Sequence, residues 1–251
     1  MTLPRRCDAL TRASHLSPRI LRLGLMRGAQ QAQGVAVVID VYRAFTSAAL
    51  MVHLGAERIL LLAEPEAALR LKQETGCLAV GEVDGVPVPG FDLGNSPSQI
   101  VAAGRALFAG RTVALRTSAG VTGAVAAARR SDVVILGGFV TAAAIARYIR
   151  NMQPEPQVVS LVAMGAGGAE ATPEDLACAD YIAHLLTGAP YEHLTALDRI
   201  VRHECTQKFL RADQPHFPPA DPLYCLQRDL FDFTLVAVQK EGFLVAGRRD
   251  V

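Results

Sequence analysis

The chain has 251 residues, of which 51% are hydrophobic and 20% are charged, and its formal net charge is +1. This composition is too apolar for extended disorder, and the length suits one sizeable core or two small domains. A net charge this close to zero creates no overall field that would attract nucleic acid or an anionic membrane. We therefore expect neither as a partner, and we expect any anionic ligand to be held locally.

The cysteines and the apolar runs indicate the compartment. Five cysteines without a CxxC pair argue against a disulfide framework and against a cysteine-rich zinc site. The apolar runs are far shorter than the roughly 20 residues that a membrane span requires. The start of the chain lacks the apolar core of a signal peptide. We expect a soluble cytoplasmic protein.

Short aliphatic runs, taken in chain order, predict six strands. Each run is nearly continuous in Val, Ile and Leu, which is typical of strands in a parallel sheet covered by helices on both faces. The segments between three pairs of runs contain good helix formers and are long enough for crossovers. We predict a three-layer α/β fold with a mostly parallel sheet and helices on both faces. The strand runs are 35–41, 58–63, 77–83, 111–117, 132–139 and 157–164, and the helical segments are 64–76, 119–130 and 141–152.

The last fifth of the chain predicts a different arrangement. Residues 216–222, HFPPADP, interrupt regular structure, and residues 233–247 have the pattern of two strands around a Lys-Glu-Gly turn. We expect this hairpin to be added antiparallel at the edge of the sheet. We interpret residues 1–251 as a single domain, in which residues 1–33 are an N-terminal extension of uncertain order. A division into two lobes is the alternative.

Polar residues follow the predicted strands at the edge where open α/β sheets bind their ligands. Carboxylates are the hard oxygen ligands that magnesium prefers, and arginine offers a planar fork that suits phosphate or sulfonate. The pattern therefore indicates a magnesium and phosphate site. Its members are Asp40 and Arg43 after the first run, Glu82 and Asp84 after the third, RTSAG (116–120) after the fourth and GAGGAE (165–170) after the sixth.

Each of these residues also has a structural interpretation. Asp40 could cap the helix that follows it, and Glu82 could pair with Arg43. The hydroxyls of 116–120 could form another N-cap, although a cap is also where free backbone N–H groups meet an anion. The stretch TPED (172–175) is a good helix start, with a proline at the first helical position and acids near the positive end of the dipole.

Five motifs occur in an order that resembles a known family. They are IDVYRAFTSA (39–48), GEVDG (81–85), GFDLGNSP (90–97), RTSAG (116–120) and PEDLACADYI (173–182). In this order they resemble the motifs of the 2-phosphosulfolactate phosphatases, the ComB-like proteins, and GFDLGNSP after GE is the most specific of them. The resemblance implies a ComB-like α/β fold. It also implies a magnesium-dependent phosphatase that converts 2-phosphosulfolactate to sulfolactate and phosphate, a step toward coenzyme M.

The motif positions define the predicted site, in which some residues have two roles. The predicted magnesium ligands are Asp40, Glu82 and Asp92. The predicted catalytic residues are Asp40, Arg43, Glu174, Asp175 and Cys178. The predicted substrate contacts are Arg43, Asn95, Ser96, Thr117, Ser118 and Gly120.

Two departures from the family pattern lie beside this site. Where the family usually has Thr-Thr-Asn-Gly, this chain has Ala119 in place of the amide, and Tyr42 replaces the usual leucine after Asp-Val. Both changes bear on the identity of the substrate more than on the phosphatase chemistry.

The GFDLGNSP stretch is predicted to be a loop on the rim of the site. Its glycines permit backbone conformations that are closed to other residues, while Asp92 and Asn95 would either face the site or lock the loop by local hydrogen bonds. Ser96 would cap the helix that Pro97 begins. A purely structural loop is the alternative.

Phosphate ester hydrolysis needs charge neutralisation, a nucleophile and a proton for the leaving alkoxide. Asp175 or Glu174 is the candidate general acid or base. A metal-bound water is the simplest nucleophile. The alternative nucleophile is Cys178, although a cysteine among Leu176, Ala177 and other small apolar residues is more often part of the core.

Two other functions compete with the phosphatase. A ComB-like scaffold without turnover could bind or sense a small anion, an idea that the missing amide favours. A nucleotide-binding oxidoreductase would need GxGxxG after the first strand, and VIDVYRAF offers none. The expected partner is thus a small phosphorylated, and in the family sulfonated, acid. A homodimer is reasonable for so aliphatic a chain.

Overall fold

Ten strands, ten α-helices and one 3-10 turn make up the part of the chain that the computed structural model describes, residues 18–251. The strands are β1 (Arg19–Gly24), β2 (Val35–Ile39), β3 (Arg58–Leu61), β4 (Leu78–Val83), β5 (Val86–Pro87), β6 (Thr112–Arg116), β7 (Val133–Gly137), β8 (Val158–Ala163), β9 (Phe233–Lys240) and β10 (Phe243–Asp250). The helices are α1 (Leu25–Gln31), α2 (Ala44–His53), α3 (Pro65–Thr75), α4 (Pro97–Phe108), α5 (Gly120–Ala127), α6 (Ala142–Asn151), α7 (Pro173–Thr187), α8 (His193–Arg202), α9 (Glu204–Leu210) and α10 (Asp221–Cys225).

The predicted α/β fold is confirmed. The strands form one sheet in the order β1-β8-β2-β7-β9-β10-β3-β6-β4-β5, and each of the six aliphatic runs contains one of its strands. Strand β2 shows why these runs are continuous in apolar residues. Ala36 and Val38 belong to one buried hydrophobic cluster, whereas Val35, Val37 and Ile39 belong to another. Because successive side chains of a strand point to opposite faces, β2 is buried on both faces of the sheet.

The position predicted for the C-terminal hairpin at the sheet edge is wrong. Strands β1, β8, β2 and β7 form one parallel group, and β3, β6 and β4 form another. The hairpin lies between the two groups, because β9 pairs antiparallel with β7 and β10 pairs antiparallel with β3. The paired segments 235–237 and 244–246 are entirely apolar, whereas edge strands usually carry charges along their length.

Two crossover helices connect the parallel groups. Helix α2 leads from β2 to β3, and α5 leads from β6 back to β7. Helix α5 packs against β2 and β7 of the first group and against β3 and β6 of the second. One hydrophobic cluster contains residues of both groups together with α2 and α5. This packing brings the end of β2 close to the end of β6, although the hairpin reverses the strand direction between them.

Part of the segment interpreted as an N-terminal extension belongs to the sheet. Strand β1 pairs in parallel with β8, from Arg19 opposite Val158 to Gly24 opposite Ala163, and α1 packs on α5. The rest of that interpretation concerns residues 1–17, which lie outside the described part of the chain. Within residues 18–251, no helix is both long enough and apolar enough to cross a membrane.

Candidate active site

A cavity of about 260 Å³ lies where the carboxyl ends of β2, β4, β6 and β8 meet α9. Of the twelve residues predicted as metal ligands, catalytic groups or substrate contacts, five line this cavity: Asp40, Arg43, Glu82, Asn95 and Ser118. They come from four separate stretches of the chain. The strand-end rule therefore located the cavity, since in this fold both parallel groups direct their carboxyl ends toward it.

Asp40 is buried directly after β2. Its Oδ1 atom accepts a hydrogen bond from the backbone N–H of Ala44 at 3.2 Å, so the predicted capping role is present as well. Burial, together with the charges of Glu82 and Glu174, raises the pKa of Asp40 to about 7, although hydrogen bonds from the backbone N–H groups of Ala44 and Gly120 oppose the rise. Asp40 is therefore only partly ionised near neutral pH, and a nearby cation would favour its charged form.

Gly120, predicted as a substrate contact, lies against Asp40 at the start of α5. A Cβ atom added to Gly120 would lie 2.6 Å from Oδ2 of Asp40 and 3.0 Å from the Cβ atom of Ala44. No larger residue fits without moving this carboxylate. Gly120 does not line the cavity, and its role is to allow the backbone of α5 to approach Asp40.

Glu82 joins the turn after β4 to the residues that lead into α5. One carboxylate oxygen accepts from the backbone N–H of Ser118 at 2.7 Å, and the other accepts from the backbone N–H of Gly85. The Ser118 hydroxyl in turn accepts from the backbone N–H of Asp84 at 2.9 Å. The network holds the turn after β4 against the start of α5, and Glu82 does not pair with Arg43 as the structural interpretation proposed.

Arg43 has a different partner. Its Nη1 atom donates to Oδ2 of Asp221 at 2.9 Å and to the carbonyl oxygen of His216 at 2.7 Å. The guanidinium carbon lies 5.5 Å from the ring centroid of Phe209 and 5.1 Å from that of Phe217. The charge of Arg43 is thus balanced by a buried aspartate, and its orientation is fixed by two rings.

The GFDLGNSP loop is locked by its own polar groups, except for one. Asp92 does not line the cavity: its Oδ1 atom pairs with Lys72 Nζ at 2.9 Å, and its Oδ2 atom accepts from Ala79 N–H at 2.8 Å. Ser96 caps α4, as predicted, and donates to Asp221 at 2.8 Å. Asn95 is only 4% exposed, and its Oδ1 atom has no hydrogen-bond partner among the described residues. A buried, unsatisfied oxygen in a cavity wall is costly unless a ligand satisfies it.

Asp175 and Glu174, the candidate acid and base, are buried beneath the cavity wall. Asp175 accepts from Val41 N–H and from Gly165 N–H, both at 2.8 Å. Burial, and then the charges of Glu174 and Asp40, raises the pKa of Asp175 well above its usual range. Glu174 accepts from the thiol of Cys205 at 3.0 Å. Asp175 thereby fastens the end of β2 to the loop after β8.

Cys178 and Thr117 also lie outside the cavity lining. Cys178 is wholly buried in the second hydrophobic cluster, and burial raises the pKa of its thiol well above the ordinary value. The Thr117 hydroxyl accepts from Val121 N–H at 3.1 Å, which is an N-cap contact. Both positions thus agree with the structural interpretations of the sequence, in which Cys178 is a core residue and Thr117 helps to cap a helix.

Sequence reasoning missed the wall that the C-terminal part of the chain supplies. Lys208 and Phe209 of α9 line the cavity, as does Phe217 in the loop that follows, and Asp221 begins α10. None of them follows a strand, so the rule that located the other residues could not find them. The available signal was a lysine next to phenylalanine in QKFLRADQPHF (207–217), which is too common a pattern to be specific.

Comparisons with known proteins agree with the motifs. A family model described as 2-phosphosulpholactate phosphatase matches residues 24–240. A Bacillus subtilis protein named "Probable 2-phosphosulfolactate phosphatase" is 32% identical over 208 residues, which are 82% of this chain and 87% of that protein. Proteins of the same name from Cyanothece and Thermus thermophilus are similar too. The Cyanothece protein is 30% identical over 84% of this chain and 91% of its own length, and the Thermus protein is 39% identical over 61% of each.

Proposed function

Because the chain belongs to the 2-phosphosulfolactate phosphatase family, we propose that it hydrolyses 2-phosphosulfolactate or a related phosphorylated hydroxy acid, with Mg²⁺ as cofactor. One observation supports the proposal above all: two buried carboxylates, Asp40 and Glu82, and the unsatisfied Oδ1 atom of Asn95 line the same small cavity.

The charges in the cavity favour a divalent cation. Carboxylates of Asp40, Glu82 and Asp84 line it, against the cationic side chains of Arg43 and Lys208. Because Asp221 neutralises Arg43, the three carboxylates that line the cavity outnumber the one cation remaining among the described residues of its wall, Lys208. A phosphate dianion would be repelled from such a cavity unless a cation entered with it.

The donor atoms fit magnesium. Within residues 18–251, no three His, Cys, Asp or Glu side chains form a cluster that could hold a metal. Magnesium does not need one, since it commonly takes one or two carboxylates and fills its other positions with water and phosphate oxygens. We assign the ion to Asp40, Glu82 and the Asn95 amide oxygen. When bound, Mg²⁺ would offset phosphate charge and polarise the phosphoryl group.

The remaining residues of the site position these groups. Arg43 lies over the rings of Phe209 and Phe217 and lines the cavity, so we assign its guanidinium to the phosphate. Asp175 fixes the end of β2 and with it the carboxylate of Asp40, so we give Asp175 and its neighbour Glu174 positioning roles. We assign no step to Cys178, because a fully buried thiol of raised pKa does not supply a thiolate.

The proposal is tested by measuring phosphate release from a panel of phosphorylated hydroxy acids with and without Mg²⁺. We expect release that requires Mg²⁺ and that falls by at least about 100-fold in Asp40→Asn, because an interaction with charge developing at the phosphoryl group is lost. Asp198→Asn changes an exposed carboxylate of α8 and serves as the matched control. No release from any compound, together with ligand-induced thermal stabilisation, would contradict a phosphatase and favour a binding protein.

A further inference from the structure

Helix α9 holds a lysine at a fixed place in the cavity wall. The Thr206 hydroxyl donates to the Ile200 carbonyl at 2.8 Å and lies 3.0 Å from the Tyr42 hydroxyl. Phe209 is fully buried, with its ring centroid 5.4 Å from that of Tyr42. Lys208, which directly precedes Phe209, therefore starts from a fixed backbone position, and its side chain lines the cavity.

The Lys208 ammonium group lies over two rings and is paired with none of the described acids. Its Nζ atom lies 4.6 Å from the ring centroid of Phe217 and 5.4 Å from that of Phe209. Across residues 18–251 it forms no hydrogen bond or ion pair, although it is half-buried. The contrast with Arg43 is direct, because Arg43 lies over the same two rings but has Asp221 as a counter-ion.

The surroundings of Lys208 disfavour its charge in the absence of a ligand. Burial, and then the positive charge of Arg43, lowers the pKa of Lys208, while the charges of Glu174 and Asp40 oppose this effect. An anion in the cavity would supply the missing counter-charge and accept the hydrogen bonds that an ammonium group donates.

We propose that Lys208 binds an acidic group of the substrate other than the phosphate, a carboxylate or sulfonate on a carbon next to the phosphorylated one. This inference rests on the proposed phosphatase function and specifies its substrate class. Lys208 then selects phosphorylated acids from among phosphate monoesters, while Asp40, Glu82 and Asn95 serve the phosphate itself. Discrimination by such a contact is strong, because a substrate without the acid leaves the half-buried lysine unpaired.

Steady-state kinetics on matched substrates test the inference. Glycerol 2-phosphate carries its phosphate on a secondary carbon, as 2-phosphosulfolactate does, but has no acid beside it; 2-phosphoglycerate has the carboxylate alone.

In Lys208→Met the side chain still packs on Phe217 and Phe209 but carries no charge. We expect KM for 2-phosphosulfolactate to rise about 10- to 100-fold, the loss of one charged hydrogen bond, while kcat/KM for glycerol 2-phosphate changes by less than about 2-fold. A rise for 2-phosphoglycerate as well would identify the carboxylate as the bound group; if KM rises only for 2-phosphosulfolactate, the bound group is the sulfonate.

Two further variants complete the kinetic test. Lys208→Arg keeps the charge and should retain most of the selectivity. Lys240→Met removes an exposed lysine at the end of β9 and should change nothing. An equal loss of kcat/KM on all three substrates in Lys208→Met would overturn the inference, because it would give Lys208 a part in the chemistry common to all of them.

Calorimetric titration with sulfolactate, the product alcohol, separates this inference from the proposed function. Binding that weakens about 10-fold or more in Lys208→Met and not in Lys240→Met supports Lys208 even if the wild-type protein releases no phosphate. Phosphate release by the wild-type protein, with sulfolactate binding and selectivity unchanged in Lys208→Met, would instead support the phosphatase and reject Lys208.

Discussion

At the residue scale, Asp40 combines a structural hydrogen bond with a position in the cavity wall. It caps the start of α2 through Ala44 and faces the cavity. The two interpretations that the sequence left open do not exclude each other, because a carboxylate has two oxygens and can use one for a cap and the other for a ligand.

The raised pKa of Asp40 predicts a pH dependence of stability for the metal-free protein. The pKa is about 7 in the folded chain, against 3.8 for an unperturbed aspartate. Between these values the folded state binds more protons than the unfolded state, so the free energy of unfolding should fall as pH rises from about 4 to about 7, by a few kcal/mol at most. Urea unfolding in EDTA at several pH values measures it.

The matched comparison for this prediction is Asp40→Asn, which cannot ionise at this position. Relative to the wild-type protein, it should gain stability as pH rises through the same interval, while Asp175 titrates in both proteins. Parallel stability curves for the two proteins would show that Asp40 ionises in the folded chain as it does in the unfolded chain.

At the scale of elements, short helices complete the site. Helix α9 has seven residues and α10 has five, lengths at which isolated helices do not form in water. Their positions depend on tertiary contacts such as those of Thr206 with Tyr42 and of Asp221 with Arg43.

The Asp221 contact predicts a large loss of stability on substitution. Asp221 is fully buried, and Asp221→Ala would leave the guanidinium of Arg43 without its counter-ion. We expect unfolding free energy to fall by about 3–5 kcal/mol. In Asp198→Ala, which breaks the exposed pair with Arg202, the loss should stay below about 1 kcal/mol. Urea unfolding of both variants measures the difference, and similar small losses would contradict a structural role for the Arg43 pair.

The sequence predicts the residues at the strand ends but not those of the short helices α9 and α10. Asp40, Glu82 and Ser118 could be placed because each follows or ends a buried strand, and strand ends have a defined location in an α/β sheet. Lys208 and Asp221 could not, since the path of the chain after α7 depends on packing between distant segments and not on local periodicity. The hairpin was recognised from two apolar runs around a Lys-Glu-Gly turn, but its neighbours in the sheet are not encoded by its own pattern.

At the scale of the whole molecule, the hairpin joins two parallel groups of strands, and this position predicts slow hydrogen exchange. Amides of 235–237 and 244–246 should exchange in the slowest class, together with those of β2 and β7, because only global unfolding exposes central strands. Amides of the outer strands β1 and β5 should exchange faster. Mass spectrometry of peptic fragments measures this, and exchange of the hairpin at the rate of β1 would place it at an edge.

The central position of the hairpin also determines when, during translation, the sheet can become continuous. Residues 233–250 come after both parallel groups in the chain, yet they join these groups into one sheet. Asp40 follows a strand of the first group, and Glu82 lies in a strand of the second. Domains acquire structure as their residues emerge during translation, so the sheet that carries these two acids becomes continuous only once the hairpin has left the exit tunnel.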